Sequence, residues 1–361
     1  MNHLIRFDHA ETHICAKALV LSTGPPPGCV RVLGLNFAAC PRRSNLGGYM
    51  QAFNFKRPLR TTALLLLIGV GASAQAATLS VSCGSKYGLT SINAALKALQ
   101  SYGSHGPVTI NVSGSCHENI GIQSIDRLTL NSINGASITD ASGGSADVIF
   151  IADSRSVAIN NFTITGGANG IDCSDGSLCR LNGNVVQGAA AFGIWANESS
   201  EVVVIGGTLQ NNSVTGLQIM NGSGGQANGV TIQNNPGNGI ELRAHAFVDT
   251  NATVANNGGG VFVSHSGTLN CSGCNITGNG GLGVILRRDS TARFSGGYAI
   301  TGNSGGGVLL TEESSAYFPS VGTVTGNAGG MDVFCGSSFT TAKFATSHIG
   351  GGTTNCVEPS P

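Results

Sequence analysis

The sequence gathers its densest set of ionisable side chains between residues 241 and 289. The set comprises Glu241, Arg243, His245, His265, Arg287, Arg288 and Asp289. Removal of a proton beside a sugar carboxylate, as in β-elimination or epimerisation, needs a base and a positive group that stabilises the resulting enolate. Arginine can serve both needs. The set therefore predicts lyase or epimerase chemistry at Arg243 and Arg287, with Glu241 and Asp289 as further catalytic candidates.

A second interpretation of the same charges is structural. Side chains of opposite sign in neighbouring repeats can pair on a solvated face, for instance Arg288 with Glu312. Such exposed pairs are common and need no ligand. The choice between the two interpretations depends on the elements that position these residues.

Those elements belong to a repeat of roughly 23 residues, in which a glycine precedes an apolar residue. The pairs are Gly170-Ile171, Gly193-Ile194, Gly216-Leu217, Gly239-Ile240, Gly260-Val261, Gly283-Val284, Gly307-Val308 and Gly330-Met331. A second apolar row keeps step with them: Ile164, Val186, Leu209, Ile232, Val254, Ile276, Ile300 and Val324. Its mostly β-branched residues are typical of buried strand positions.

A polar row runs through six consecutive repeats: Asn212, Asn235, Asn257, Asn279, Asn303 and Asn327. Asparagine tolerates the left-handed conformation of a sharp corner, and its amide can bond to the asparagine of the next repeat. The rows predict one all-β domain over residues 77–361, in which short parallel strands stack as a solenoid. Its coils span 108–356 and follow a cap, 77–107, with an amphipathic helix over Thr90–Ser101. A leucine-rich repeat is disfavoured because its Leu-x-x-Leu-x-Leu pattern is absent.

Three segments resemble the pectin-lyase-like superfamily of secreted right-handed parallel β-helix proteins: residues 106–112, residues 126–130 and the Asn-x-x-x-Gly-Ile repeats such as 235–240. The resemblance covers about residues 80–356. It implies a polysaccharide as ligand, and lyase or epimerase activity ahead of hydrolysis, because the Asn-Thr-Asp, Asp-Asp and Arg-Ile-Lys motifs of polygalacturonases are absent. It also implies Ca²⁺ as a possible cofactor, although no metal-ligand motif is evident. A non-catalytic cell-surface scaffold or adhesin is the alternative function.

The repeat places Arg243 and Arg287 in equal register two coils apart, roughly 10 Å, where they could bracket an anionic sugar. The outward position two residues after each glycine is occupied in turn by Asp172, Trp195, Gln218, Glu241, Phe262, Ile285, Leu309 and Asp332. Trp195 and Phe262 are candidates for stacking on a sugar ring, and His265 and Arg288 for binding it. The alternative, which the sequence favours equally, is that a loop covers both aromatic side chains and keeps them from a ligand.

Asp175 and Glu198 also share register, on adjacent coils. Two carboxylates roughly 5–9.5 Å apart would suit a glycosidase. Both residues lie in Ser- and Gly-rich turns, where acidic residues are common without a function. The pair is therefore a weaker candidate than the arginines.

The amino-terminal region reads as a leader. Residues 50–76 have a basic segment, the apolar run 63–70 and small residues before a cleavage site near Ala76, as in a secretory signal peptide. The apolar run is too short to span a bilayer. Residues 1–49 are interpreted as upstream sequence translated from a misplaced start, with a genuine long leader as the alternative.

Eight cysteines follow the leader, and an even number in an exported chain predicts disulfides. Chain proximity favours the pairs Cys83–Cys116, Cys173–Cys179, Cys271–Cys274 and Cys335–Cys356, among the many possible connectivities. The Cys271-Ser-Gly-Cys274 pair alternatively suggests zinc or redox chemistry, but a zinc site needs a second pair. Acidic residues outnumber basic ones after Ala77, so no nucleic-acid surface is predicted.

Overall fold

The computed structural model describes residues 77–102, 107–336, 340–344 and 346–356. These residues form a solenoid in which each coil contributes one strand to each of three parallel sheets. The predicted leader, residues 1–76, lies outside the described residues. The all-β parallel solenoid of about ten coils is the predicted fold.

All strands pair in parallel with the equivalent strands of the coils before and after. Sheet 1 contains β1 (Ala77–Ser82), β2 (Val108–Ser113), β5 (Leu128–Ser132), β8 (Val157–Asn160), β11 (Leu178–Asn182), β14 (Glu201–Ile205), β17 (Gly224–Asn228), β20 (Phe247–Thr250), β23 (Thr268–Ser272), β26 (Thr291–Ser295), β29 (Ser315–Phe318) and β32 (Thr341–Phe344). Sheet 2 contains β3 (Ser115–His117), β6 (Ser137–Thr139), β9 (Thr163–Thr165), β12 (Val185–Gln187), β15 (Thr208–Gln210), β18 (Thr231–Gln233), β21 (Thr253–Ala255), β24 (Asn275–Thr277), β27 (Ala299–Thr301) and β30 (Thr323–Thr325). Sheet 3 contains β4 (Ile120–Gln123), β7 (Ile149–Ala152), β10 (Ile171–Ser174), β13 (Phe192–Ala196), β16 (Thr215–Ile219), β19 (Asn238–Leu242), β22 (Gly259–Ser264), β25 (Leu282–Arg287), β28 (Gly306–Leu310) and β31 (Val333–Cys335).

The core is the stack of inward side chains along the solenoid axis. The predicted apolar row from Ile164 to Val324 is buried at every coil of sheet 2. The row of residues after the repeat glycines is buried on sheet 3 from Ile171 to Val308. Because partners in parallel strands point the same way, each inward residue packs on its equivalents in the adjacent coils.

The buried asparagines form a continuous ladder at the corner between sheets 2 and 3. The backbone N–H and side-chain Nδ2 of Asn257 both donate to Oδ1 of Asn279, at 3.0 and 3.1 Å. Nδ2 of Asn257 also donates to the backbone oxygen of Ile232, at 3.0 Å. The same pattern joins Asn212, Asn235, Asn279, Asn303 and Asn327. The amide-to-amide bonding is confirmed.

The expectation that these asparagines adopt the left-handed conformation is wrong. That conformation falls on the residue before each of them, for example Asn211, Asn234 and Asn256, with φ of 55°, 57° and 55°. The corner turns at this exposed residue, and the following asparagine is thereby directed inward.

The last coil departs from the predicted register. Val308 pairs with Val333 and Leu309 with Phe334, so the apolar residue after Gly330 is not the eighth member of its row. This coil is two residues longer than the repeat, and Met331 is 38% exposed. Asp332 is consequently not in the outward row. Its Oδ1 accepts hydrogen bonds from N and Nδ2 of Asn327 and ends the ladder.

The amino-terminal end is covered by α1 (Ile92–Tyr102). Its Ile92, Ala95 and Leu96 side chains are buried against the first coils, as the amphipathic pattern predicts. The helix begins two residues later than predicted because Ser91 is its cap: Ser91 Oγ accepts from the backbone N–H of Ala94 at 3.1 Å. The carboxylate of Glu118 accepts the next free N–H groups, those of Ile92 and Asn93.

All four predicted disulfides are formed: Cys83–Cys116, Cys173–Cys179, Cys271–Cys274 and Cys335–Cys356. The disulfide leaves Cys271 and Cys274 no free thiolates for zinc, so the zinc alternative is wrong. A single-turn 3-10 helix, Thr346–Ile349, follows β32. Among the described residues, no helix is long and apolar enough to cross a membrane.

Replacement of Asn257 by alanine should destabilise the solenoid. It leaves the backbone N–H of Asn235 and the carbonyl of Ile232 buried without a partner. Each unsatisfied group costs about 1–3 kcal/mol, so the free energy of unfolding should fall by about 3 kcal/mol. Urea denaturation followed by circular dichroism measures it. Asn228→Ala, on the outer face of sheet 1, should change it by less than about 0.5 kcal/mol. Equal effects of the two substitutions would contradict a structural role for the ladder.

Candidate functional site

The predicted ionisable set lies on the outer face of sheet 3 and on the corner that follows it. Gln218, Glu241, Phe262 and Ile285 are in register on four consecutive strands, as predicted. The corner residues include His265, Arg288 and Asp289, whose φ values of 55°, 56° and 58° are left-handed. The structure thus brings the set together on one surface.

Arg243 contacts two neighbouring side chains, those of Glu241 and Phe262. Its Nε contacts Oε1 of Glu241, and its guanidinium lies 5.3 Å from the centre of the Phe262 ring. Oε2 of Glu241 accepts from Nδ2 of Asn238 at 3.0 Å and from Oγ1 of Thr215 at 3.5 Å. With these partners Glu241 is only 6% exposed. The carboxylate, the guanidinium and the aromatic ring form one closed group.

Arg287 and Arg288 are paired with a single carboxylate of the next coil. Nη2 of Arg287 lies 2.7 Å from Oε1 of Glu312, and Nε of Arg288 lies 3.2 Å from Oε2. The hydrogen bond from Arg287 is the main cause that lowers the pKa of Glu312. Arg288 also contacts Nε2 of His265. This arrangement is the cross-coil ion pairing that the sequence offers as the structural interpretation.

A buried carboxyl pair lies nearer the amino-terminal end of sheet 3. Asp172 is 4% exposed and stands in register between Phe150 and Trp195. Burial is the main reason that its pKa is raised to about 7; the carboxyl groups of Asp147 and Glu198 act in the same direction, and the hydrogen bond from Ser174 acts against it. A carboxyl group with this pKa can donate a proton near neutral pH.

The surroundings of this pair are aromatic and acidic. The Trp195 ring lies 6.0 Å from that of Phe192, and its Nε1 is buried without a hydrogen-bond partner. Asp175 and Glu198 occupy adjacent left-handed corner positions, and a hydrogen bond between their side chains raises the pKa of Glu198. The predicted proximity of these two carboxylates is therefore confirmed, on an open and exposed corner.

A groove that the sequence reasoning missed runs along the outer face of sheet 1, with a volume of about 720 Å³. Its floor is a register row in which Asp249, Asn270, Arg293, Tyr317 and Lys343 follow one another on five consecutive strands. Its side is a row of hydroxyl-bearing residues: Thr268, Thr291, Ser315 and Thr341. The groove is therefore built from polar positions of five coils.

The groove presents cations that no carboxylate neutralises. Within the described part of the chain, neither Arg293 nor Lys343 forms an ion pair. The guanidinium of Arg293 instead lies 5.2 Å from the centre of the Tyr317 ring. Nδ2 of Asn270 donates to Asp249 at 2.9 Å, while Oδ1 of Asn270 is buried without a partner. These groups suit a ligand with carboxylates and ring hydroxyls.

The signal for the groove is present in the sequence at a different offset of the repeat. Asp249, Asn270, Arg293, Tyr317 and Lys343 recur at intervals of 21, 23, 24 and 26 residues. The charges that cluster in the sequence belong to sheet 3 and the corner after it, whereas the groove residues become apparent only when the outward row of sheet 1 is aligned from coil to coil.

The Ca²⁺ ion that the family resemblance implies stays a prediction. One group of three metal-ligand side chains is present among the described residues, Cys83, Cys116 and Glu118, and its two cysteines form a disulfide. Calcium prefers six to eight oxygen ligands. No step proposed below uses a metal ion.

Comparison with known proteins identifies the fold. Residues 147–299 match the family model described as the right-handed β-helix region. The A-module of the mannuronan C-5 epimerase AlgE4 of Azotobacter vinelandii aligns with a TM-score of 0.53 and 16% identity, over 70% of this chain and 82% of the other. The pectate lyase Pel9A aligns with a TM-score of 0.53 and 12% identity, over 74% of this chain and 80% of the other. No protein of curated function matches the sequence.

The buried carboxyl pair makes stability depend on pH. Asp172 has a pKa of about 7 in the folded chain and its ordinary value of 3.8 when unfolded. The folded state binds more protons between these values, so the free energy of unfolding should fall as pH rises from about 4 to about 7. Asp172→Asn removes the titration and should unfold at higher temperature than the wild type at pH 8.

Thermal melts at pH 4 and pH 8 measure this difference, which should be small at pH 4. The exposed Asp153→Asn substitution is the matched control and should leave the pH dependence unchanged. If the melting temperatures of wild type and Asp172→Asn changed in parallel across this range, the carboxyl group of Asp172 would not titrate as described.

Proposed function

We propose that this chain, whose fold is similar to that of right-handed β-helix proteins, binds an acidic polysaccharide in the groove on sheet 1 and acts on it as a lyase or an epimerase. The two similar structures are named for an epimerase of mannuronan and a lyase of pectate. Their fold supports a polysaccharide as the ligand class. The assignment to the groove depends on the side chains of this protein.

The observation that carries the proposal is the pair of cations beside Tyr317. Arg293 and Lys343 stand on either side of Tyr317 in the same register row, so their Cα atoms are two coils apart, roughly 10 Å. Both are free of ion pairs among the described residues. A sugar carboxylate that reaches one of them gains a charge-assisted hydrogen bond without breaking an existing one.

The same groups suit proton abstraction beside a carboxylate. Arg293 would hold the sugar carboxylate and stabilise the negative charge that develops when the neighbouring carbon loses its proton. In the groove, the carboxylate of Asp249 can accept a proton, and the ammonium group of Lys343 or the hydroxyl of Tyr317 can donate one. Elimination follows if the bond to the next sugar breaks, and epimerisation follows if a proton returns to the opposite face.

The arginines of sheet 3 are the competing location. Glu241 already neutralises part of the charge of Arg243, and Glu312 part of that of Arg287 and Arg288, so an anionic sugar would compete with these carboxylates. Trp195, Phe262 and His265 would then line that second surface. The existing pairs favour a structural role for this set, so substitution there should affect polysaccharide binding less than substitution in the groove.

We also propose that the protein is exported. Four disulfides join all the cysteines that follow the predicted signal peptide. Disulfides persist in oxidising compartments, which include the periplasm and the extracellular space. Polysaccharides of cell walls and capsules are available in the same places.

Substitution of the groove cations should abolish the activity. Arg293→Ala and Lys343→Ala should each weaken binding to polygalacturonate or alginate by about tenfold or more, because each loses a charge-assisted contact worth about 1.5–3 kcal/mol. Arg243→Ala and Arg287→Ala are the matched controls on sheet 3. Binding is followed by calorimetry at low and high salt, and turnover by the absorbance of unsaturated products or by the change in sugar composition, with and without Ca²⁺.

The outcomes separate three functions. Loss of binding and turnover in the groove variants alone supports the proposal. Loss in Arg243→Ala and Arg287→Ala alone places the site on sheet 3. Binding without turnover on every acidic polysaccharide supports the alternative of a non-catalytic surface β-helix, and no binding at all contradicts the proposed function.

A further inference from the structure

Phe247 is a partly exposed aromatic residue at the amino-terminal end of the groove. It is 46% exposed and precedes Thr268 of the groove in the same register row of sheet 1. Parallel partners point to the same side of a sheet, so its ring shares the outer face with the groove residues. An exposed aromatic residue at the end of a polar groove is a candidate contact for the ligand.

The glycine before Phe247 in this row makes room for its ring. A Cβ atom built on Gly224 would lie only 2.0 Å from Cε1 of Phe247. The backbone of Gly224 has no left-handed φ that would itself require glycine. The absence of a side chain at Gly224 therefore leaves room for the Phe247 ring. The ring packs over the backbone of the preceding strand, and its other face is exposed to solvent.

Tyr317 is a second partly exposed aromatic residue, nearer the carboxyl-terminal end of the groove. It is 45% exposed, and Arg293 packs against its ring. Phe247, Thr268, Thr291 and Ser315 are successive members of one register row, and Tyr317 lies two residues beyond Ser315 on β29. The strands of the two aromatic residues are thus three coils apart, roughly 14 Å along the axis.

Asn270 and Arg293 lie between the two rings, on the two intervening strands. A linear polysaccharide advances by about one sugar ring for each coil, because the coil rise of about 4.8 Å is close to the length of a pyranose unit in an extended chain. Apolar faces of sugar rings can therefore meet the aromatic rings at both ends, while polar groups of the intervening sugars meet the amide and the guanidinium.

We propose that Phe247 and Tyr317 are the outer stacking positions of a row of sugar-binding subsites, which takes a linear acidic oligosaccharide of at least four units parallel to the solenoid axis. This inference rests on the proposed function, since it names the length and direction of the ligand in the same groove. It adds a residue outside the groove lining, Phe247, and a structural role for Gly224.

The test is binding of size-defined oligogalacturonates and oligomannuronates of two to six units to the full chain, measured by calorimetry. Affinity should rise with each unit up to four or five and then level off. Phe247→Ala should weaken the binding of the longer oligosaccharides about tenfold, as expected for loss of one stacking contact, and leave the disaccharide unaffected. Gly224→Val, which displaces the ring without removing it, should have the same effect.

Two further variants test whether the effect is specific to the groove. Phe334→Ala removes an aromatic residue of similar exposure, 39%, from sheet 3 and should leave affinity unchanged. Tyr317→Ala should weaken the binding of the longer oligosaccharides as Phe247→Ala does. Melting temperatures check that each variant is folded.

Affinity that levels off at two units, or equal affinity of Phe247→Ala and Phe334→Ala for the hexasaccharides, would overturn this inference while the proposed function stands. Failure of the wild type to bind any of the oligosaccharides or their parent polymers would overturn both.

Discussion

The hydrogen bonds between successive coils are the constraint on which the other features of this protein depend. Each strand pairs in parallel with the strands before and after it, and the register is kept by the buried asparagines, whose side chains replace backbone bonds at a corner where the chain turns. This regular pairing requires every coil to supply the same types of inward residue, apolar side chains and asparagine. Variation is confined to the outward positions, which a fixed step of about 4.8 Å sets in straight rows.

Because outward residues lie in straight rows, a single substitution can change the charge of the outer face of a sheet. On sheet 3, each arginine of the central coils has a carboxylate within reach: Glu241 for Arg243, and Glu312 for Arg287 and Arg288. Exposed pairs of this kind contribute little to stability, but they occupy the hydrogen-bonding groups that a ligand would need. On sheet 1, Arg293 has an aromatic neighbour in place of a carboxylate. The two faces therefore differ in available charge although both carry arginines.

The repeat was predictable because the core demands it. The apolar and asparagine rows recur in the sequence wherever the coil is regular, and they identify the strands of sheets 2 and 3. The pattern failed at Met331 and Asp332 because a two-residue extension shifts the register, and a spacing of 23 residues from Gly307 to Gly330 conceals it.

The site was less predictable because outward residues obey no such rule. Clustering of charge in the sequence selected Arg243 and Arg287, but whether an arginine is free depends on the reach of Glu312 from the next corner. The groove residues Asn270 and Tyr317 carry no charge, and they stand out only when five coils are aligned on sheet 1. The asymmetry is physical: burial constrains residue type strongly, and exposure constrains it weakly.

The buried polar atoms that lack a hydrogen-bond partner in the described part of the chain also lie on the outer faces of the sheets and not in the core. Along the ladder, the amides of all six asparagines, five of them buried, have hydrogen-bond partners. Among the described residues, the buried side-chain atoms without a partner are Nε1 of Trp195, Oδ1 of Asn270 and Nε of Arg287. All three belong to the outer faces of sheets 1 and 3, as does the buried carboxyl group of Asp172, which costs stability at neutral pH. In a scaffold whose repeat satisfies its own polar groups so completely, local violations are expected where function, and not folding, selects the residue.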